Sequence, residues 1–212
     1  TWQQYYEDFA AYTKEANPHS VLEVGGGHGT LATLATGQLP NLHWTIVEPN
    51  PLHPGSDRIS IVRGFFDEHF RYDKEVDAVV FSQVLEHAYD PQSFLGAIAS
   101  FLKPGGRLIF AYPNLKLWLE RKYTNALNFE HTMLLTDYFV DHLLIRNSFR
   151  IADKRLYKDH SVFYVAEKIE TPLAEPPIEN KYNEYKAIFL EFINYHQTLV
   201  NEINGKIRVA QA

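Results

Sequence analysis

One acid and four glycines crowd one short neighbourhood of the chain. The run "VLEVGGGHGTLA" (21–32) carries Glu23 inside an apolar stretch, then Gly25, Gly26, Gly27 and Gly29. Glycine packs nothing and costs backbone entropy, so such a concentration marks a place where something approaches the main chain closely. Peptide N–H groups exposed at a strand-to-helix turn suit a nucleotide ligand. The spacing is not that of a pyrophosphate loop, because Thr30 stands where a G-x-G-x-x-G fingerprint requires its third glycine. No Gly-Lys-Ser/Thr follows, so no P-loop is present. Glu23 would repel a phosphate and attract an ammonium group. Glu48 ends the next apolar run, where a carboxylate accepts both hydroxyls of a ribose. A ribose, a cation and no phosphate together describe S-adenosylmethionine.

Two histidines are candidates for acid–base work, since imidazole titrates nearest neutral pH. His87 lies in "LEHAYDP" and His131 in "NFEHTMLLT". Either is suited to take a proton from a hydroxyl or carbon acid during group transfer. Tyr112 and Asn114 are lesser candidates. Asp137 and Asp141 stand one helical turn apart and read equally as a solvated face, so no metal is expected.

These residues need a scaffold, and hydrophobic periodicity supplies one. Trp2, Tyr5, Tyr6, Phe9 and Tyr12 recur at helical spacing over 2–16. Strands are expected at 19–25, 42–48, 58–64, 76–82 and 107–112, with helices at 28–39 and 90–102. Asp90 and Pro91 supply the cap and first turn of the second of these. Alternation of this kind implies a parallel sheet with helices on both faces. A helix at 136–148 precedes "FRIADKRLYK" and "SVFYVAEK", separated by only two residues. So short a link permits a hairpin and not a parallel crossover. The fold class is therefore α/β, Rossmann-like, closing with an antiparallel C-terminal pair. Residues 1–168 form the domain and 169–179 a proline-rich linker. Residues 180–212 are a C-terminal helical extension. Its helix, 180–204, has Tyr182, Tyr185, Phe189, Phe192, His196, Leu199 and Ile203 in alternating steps of three and four, a heptad seam. That seam either docks on its own domain or meets another helix, as in a homodimer or a further C-terminal domain.

The chain of 212 residues has 45% hydrophobic content, which suits one packed domain. A formal charge of −6 argues against a nucleic-acid partner. The absence of cysteine excludes disulfides, thiolate metal sites and a cysteine nucleophile, and fits a cytoplasmic setting. No apolar run is long enough to span a membrane, and the aromatic, polar start is not a signal peptide.

"VLEVGGGHG", "IVEPN", "FSQVLEHAYDP" and "FLKPGGRLIFAYPN" in this order resemble the class I S-adenosylmethionine-dependent methyltransferases of small-molecule type, over about residues 20–168. The resemblance implies a seven-stranded sheet whose last pair is antiparallel. It implies that Glu23 to Gly29 line the methionine end of the cofactor and that Glu48 holds the ribose diol, with Pro49 or Asn50 beside the adenine. Phe65, Phe66 and Asp67 would surround the adenine, with one phenylalanine free to be plain core. Ser82 and Gln83 would face the methionine moiety, and Glu86 and His87 would follow on a loop over the reacting methyl. His131 would act as acid–base or substrate residue. Tyr5 and Tyr6 would pack in the core or close over the cofactor. The closing helix resembles the junction after the methyltransferase domain of sugar C-methyltransferases, whose zinc module and C-terminal domain are absent here, so a fragment of a longer protein is expected. The acceptor implied is a small molecule such as a sugar or related metabolite. The alternative is a catalytically silent assembly module acting through its heptad helix, and intact Glu23 and Glu48 weigh against it.

Overall fold

The computed structural model describes residues 1–211; Ala212, assigned above to the helical extension, lies outside the described residues. A seven-stranded sheet runs in the order β3-β2-β1-β4-β5-β7-β6. Its strands are β1 (Ser20–Val24), β2 (His43–Glu48), β3 (Ile59–Arg63), β4 (Ala78–Ser82), β5 (Arg107–Pro113), β6 (Phe149–Tyr157) and β7 (Ser161–Lys168). The first five pair in parallel, and β7 inserts antiparallel between β5 and β6. The short link after β6 forces the expected hairpin, and its second strand is the one that joins the main sheet.

Alternating residues along the buried strands feed two separate cores. On one face Val21, Trp44, Ile46, Val80 and Ile109 pack beneath helices α1 (Trp2–Glu15) and α2 (Thr30–Gln38). On the other, Leu22, Val47, Phe81, Phe110 and Tyr164 pack against α3 (Pro91–Phe101) and α5 (Asp137–Arg146). Strands covered on both sides have no polar alternation, which is why β4 reads as an unbroken apolar run. Strand order reverses direction between β1 and β4, and a crevice opens at the carboxyl ends of such a pair. The two edges of this crevice nearly touch, since a Cβ on Gly25 would come within 2.9 Å of Val84 Cγ2.

Two elements differ from expectation. The 113–135 stretch, in which no pattern was legible, contains helix α4 (Leu115–Glu120), capped by the Asn114 side chain accepting from Leu117 N at 3.3 Å. Six residues are too few for periodicity to register. The C-terminal helix α6 runs Tyr182–Ala210, several residues past the expected end. Its early turns dock on α4 through Ile188, Phe189, Phe192 and Ile193, against Leu115, Trp118 and Leu119. His196 Nε2 reaches the Lys122 carbonyl at 3.1 Å. Farther along, Leu199, Ile203 and Ile207 are exposed. The heptad seam is thus half occupied by the chain's own α4. No described helix is long and apolar enough to cross a membrane.

Candidate functional site

The glycine run caps β1 and opens α2. Gly25 and Gly29 take φ of +79° and +67°, conformations that a side chain would strain. Gly29 is the N-cap of α2 and offers no side-chain cap, so the first-turn N–H groups stay open toward the crevice. Beneath the loop lies Glu23, pointing to the α1/α2 face. A Cβ on Gly26 would stand 2.4 Å from its carboxyl carbon, and one on Gly27 would meet Glu48 Oε2 at 3.5 Å. A side chain at Gly26 would displace the Glu23 carboxylate, whereas one at Gly27 would make only an ordinary contact with Glu48.

Glu23 is buried, and its Oε2 accepts a 2.7 Å hydrogen bond from Trp44 Nε1. Burial pushes its pKa up to about 7; the Trp44 bond opposes the rise and nearby Glu48 adds to it. Such an acid lacks a cation. Glu48 Oε1 accepts from Asn50 N at 2.9 Å, bending the chain back at Pro49. Tyr6, Glu23, the glycine run and Ser82 line the enclosed part of the crevice, about 60 Å³. A larger cavity of about 670 Å³ lies outside this crevice, between the 66–76 segment and α3, and touches none of the glycines.

Of the three residues expected at the adenine, Phe66 packs in the core against Phe70 and Phe101. Phe65 is 74% exposed, and Asp67 Oδ1 turns to accept from His69 N at 2.8 Å. Ser82 and Gln83 end β4. Tyr5 is buried, and its hydroxyl bonds Ser82 Oγ at 2.8 Å and accepts from Gln83 Nε2 at 2.9 Å, tying α1 to the crevice. Gln83 holds φ at +56°, a strained backbone of the kind that clusters at functional sites.

Beyond Gln83, a single 3₁₀ turn (Leu85–His87) brings Glu86 and His87 to the same edge. His131 arrives from the segment after α4, its ring centroid 5.4 Å from that of His87. Thr132 staples the segments together twice, once through its amide and once through its hydroxyl. Thr132 N donates to the Glu86 carbonyl at 3.0 Å, and Thr132 Oγ1 to the Ala88 carbonyl at 2.7 Å. His87 Nδ1 donates to the Glu130 carbonyl at 2.9 Å. Glu86 is 2% exposed, and its Oε2 has no hydrogen-bond partner. Burial pushes its pKa up to about 8 and draws that of His131 below the usual imidazole value. Asp137 and Asp141 are engaged elsewhere, both accepting from Lys154 Nζ. Tyr112 is core.

The sequence reading singled out His87 and His131 separately and did not see that they meet, nor that Glu86 joins them. It also missed Trp44, His53, which closes over Gly29, and Thr132. Only Trp44 left a trace. It shares strand parity with Ile46, the partner of Glu23, so its indole falls on the same face.

A crevice at a sheet's switch point, floored by two acids and topped by a glycine loop, matches the class I methyltransferase architecture. A family model described as "Methyltransferase domain" matches residues 1–175. The chain belongs to that family, whose cofactor is S-adenosylmethionine. It is 34% identical over 109 residues to the ubiquinone biosynthesis O-methyltransferase of Escherichia coli O127:H6, a match covering 47% of this chain and 45% of that protein. The Klebsiella pneumoniae strain 342 counterpart is 30% identical over the same coverage. The chain thus spans about half the length of the curated relatives it matches. Mitomycin 7-O-methyltransferase MmcR superposes with a TM-score of 0.65 at 19% identity, over 78% of this chain and 53% of that one. The riboflavin-analogue dimethyltransferase RosA of Streptomyces davawensis gives 0.64 at 20% identity, over 78% and 54%.

Proposed function

We propose that this chain transfers the methyl group of S-adenosylmethionine to a hydroxyl of a small molecule held at the Glu86–His87–His131 pole. The observation that carries this reading is the juxtaposition, at one sheet edge, of an acidic glycine crevice and a pair of imidazoles. The residues fit the cofactor. Glu23 has no cationic partner of its own and suits an ammonium group, Glu48 Oε2 is placed for a ribose diol, and Gly26 and Gly27 leave the space a side chain would fill. When bound, the cofactor supplies a methyl on positively charged sulfur, open to in-line displacement.

The chain's own part is alignment and proton handling. In this reading the Glu130 carbonyl fixes the proton of His87 on Nδ1 and leaves Nε2 to accept from a second polar hydrogen of the acceptor molecule, away from the reacting hydroxyl. His131, drawn toward its neutral form by burial, takes the hydroxyl proton. Tyr5, Ser82 and Gln83 orient the wall between the two halves. The names of the relatives, O-methyltransferases of ubiquinone biosynthesis and of mitomycin, support oxygen as the acceptor atom. A sugar hydroxyl or a related metabolite fits the same pole.

Binding calorimetry with S-adenosylmethionine and with its demethylated product, followed by label transfer into a metabolite pool, tests the reading. One-to-one cofactor binding and a labelled hydroxyl product support it. A protein that binds neither compound would be the silent assembly module instead. The exposed Leu199–Ile203–Ile207 ridge favours a contact role for α6 alongside catalysis. Light scattering of Leu199→Glu against the parent chain checks for a change in oligomeric mass.

A further inference from the structure

We propose that Glu86, His87 and His131 form a binding site for a divalent transition-metal ion, on which the oxygen of the acceptor completes the coordination. This rests on the acceptor lying at that pole, and it changes how the hydroxyl is activated.

The first observation is distance. One ligand-capable atom from each of the three side chains lies within 4.8 Å of the other two. Metal–ligand bonds of about 2.1 Å set neighbouring ligand atoms roughly 3–4 Å apart, and His87 Nε2 is already 3.8 Å from Glu86 Oε1. Small side-chain rotations close the remaining gap.

The second is orientation. A carbonyl oxygen only accepts, so His87 Nδ1 must carry the proton that meets Glu130 O, and its Nε2 carries a lone pair. His131 Nδ1 stands 3.4 Å from the Ala126 carbonyl, which favours the same tautomer. An imidazole whose other ring nitrogen donates to a backbone carbonyl is the usual arrangement around a bound metal. The Thr132 staples fix the two contributing segments against each other, a rigidity that a plain surface histidine pair lacks.

The third is charge. Glu86 is almost wholly buried with one oxygen unpartnered, and among the described residues no Lys or Arg lies within ion-pairing distance of it; only the His87 ring comes that near. A buried carboxylate in that position is satisfied by a cation.

Two imidazoles and one carboxylate suit zinc, iron, cobalt or nickel better than calcium or magnesium, which prefer all-oxygen sites. Three protein ligands leave positions open. With the cation in place the two rings act as ligands rather than bases. The acceptor oxygen binds the metal through its electron pair and releases its proton to solvent, helped by the lowered pKa of a metal-bound hydroxyl.

The test uses the full chain, stripped with a chelator and titrated with Co²⁺. One equivalent should bind with a visible d–d absorption band that Zn²⁺ displaces. His87→Ala and His131→Ala, both at partly exposed positions, should each weaken Co²⁺ binding by more than the roughly 10–100-fold typical of outer-shell changes. His19→Ala, at the opposite edge of the sheet, should leave it unchanged. The absence of a band, or a band that survives both crevice substitutions, overturns the site. Turnover by the stripped protein at the full rate also overturns it and leaves His131 as the base. Co²⁺ held through both histidines, in a protein that does not bind S-adenosylmethionine, supports the metal site and sinks the methyl-transfer reading.

Discussion

On the glycine side of the crevice, Glu23, Gly25 to Gly29 and Glu48 belong to consecutive elements, β1, α2 and β2. On the imidazole side, His87 meets the segment of Glu130 and His131 across 43 positions of chain. The first half is dictated locally. Gly25 and Gly29 answer to the positive φ of their own turn, Gly26 to Glu23 just before it, and Glu48 ends the very next strand. The second half exists only once helix α4 and the loop after it have folded back onto the 3₁₀ turn at Leu85. A methyl donor is common to the family, so its site is written in short-range geometry. The imidazole side is assembled by long-range bonds from the Thr132 amide and hydroxyl to backbone carbonyls.

Breaking the imidazole half should cost most. His131→Ala is expected to lower turnover by about 10²–10⁴-fold while cofactor affinity stays within a factor of about two; stopped-assay kinetics beside calorimetry separate the two quantities. Equal losses in both would erase the division between halves. Gly26→Ala attacks the other side, because its new methyl collides with the Glu23 carboxyl. Cofactor affinity should fall by about 100-fold, near 2.7 kcal/mol, with the circular dichroism of the fold retained.

Glu48→Ala should weaken cofactor binding by about 1–3 kcal/mol through lost hydrogen bonds to a charged acceptor. Unchanged affinity removes the ribose assignment. Glu23 supplies the pH dependence. Its folded pKa, raised to about 7 from 4.5, means that the empty protein holds a proton there which the unfolded chain has released. That contribution to stability is complete below about pH 4.5 and is lost as pH rises through about 7, by up to about 3 kcal/mol. An ammonium ligand requires the carboxylate, so cofactor affinity should climb over the same window and then level off. Glu23→Gln should flatten both curves, as thermal melts and calorimetry from pH 5 to pH 8 would record; a slope that persists places the titrating group elsewhere. The smallest effect is expected from Phe65→Ala. An exposed ring at the adenine side should change affinity by no more than about threefold; a larger loss would mean that it folds over the ligand.

The sheet was legible because strands buried on both faces are apolar without interruption, as in "VDAVVFS", and because two residues between Lys158 and Ser161 admit only a hairpin. The glycine half was legible for the same local reasons. Helix α4 was not, since one and a half turns leave no period. The meeting of Glu86, His87 and His131 was not legible either. Each residue was visible, but their proximity depends on hydrogen bonds from the Thr132 amide and hydroxyl to carbonyls more than forty positions away, which leave no local pattern. Phe66 shows the converse. Its motif suggests a ligand contact, yet its ring is claimed by Phe70 and Phe101.

The Thr132 clamp separates the chemistry proposed for this site from what the site admits. Because the clamp fastens the loop just past His131, and Ala126 and Asn128 hold that residue only through their carbonyls, the exposed side chains of Leu127 and Phe129 are free to change without disturbing the imidazoles behind them. Divergence among descendants would then proceed by exchanging that tip like a fitting on a fixed mount, giving new clientele to unaltered chemistry.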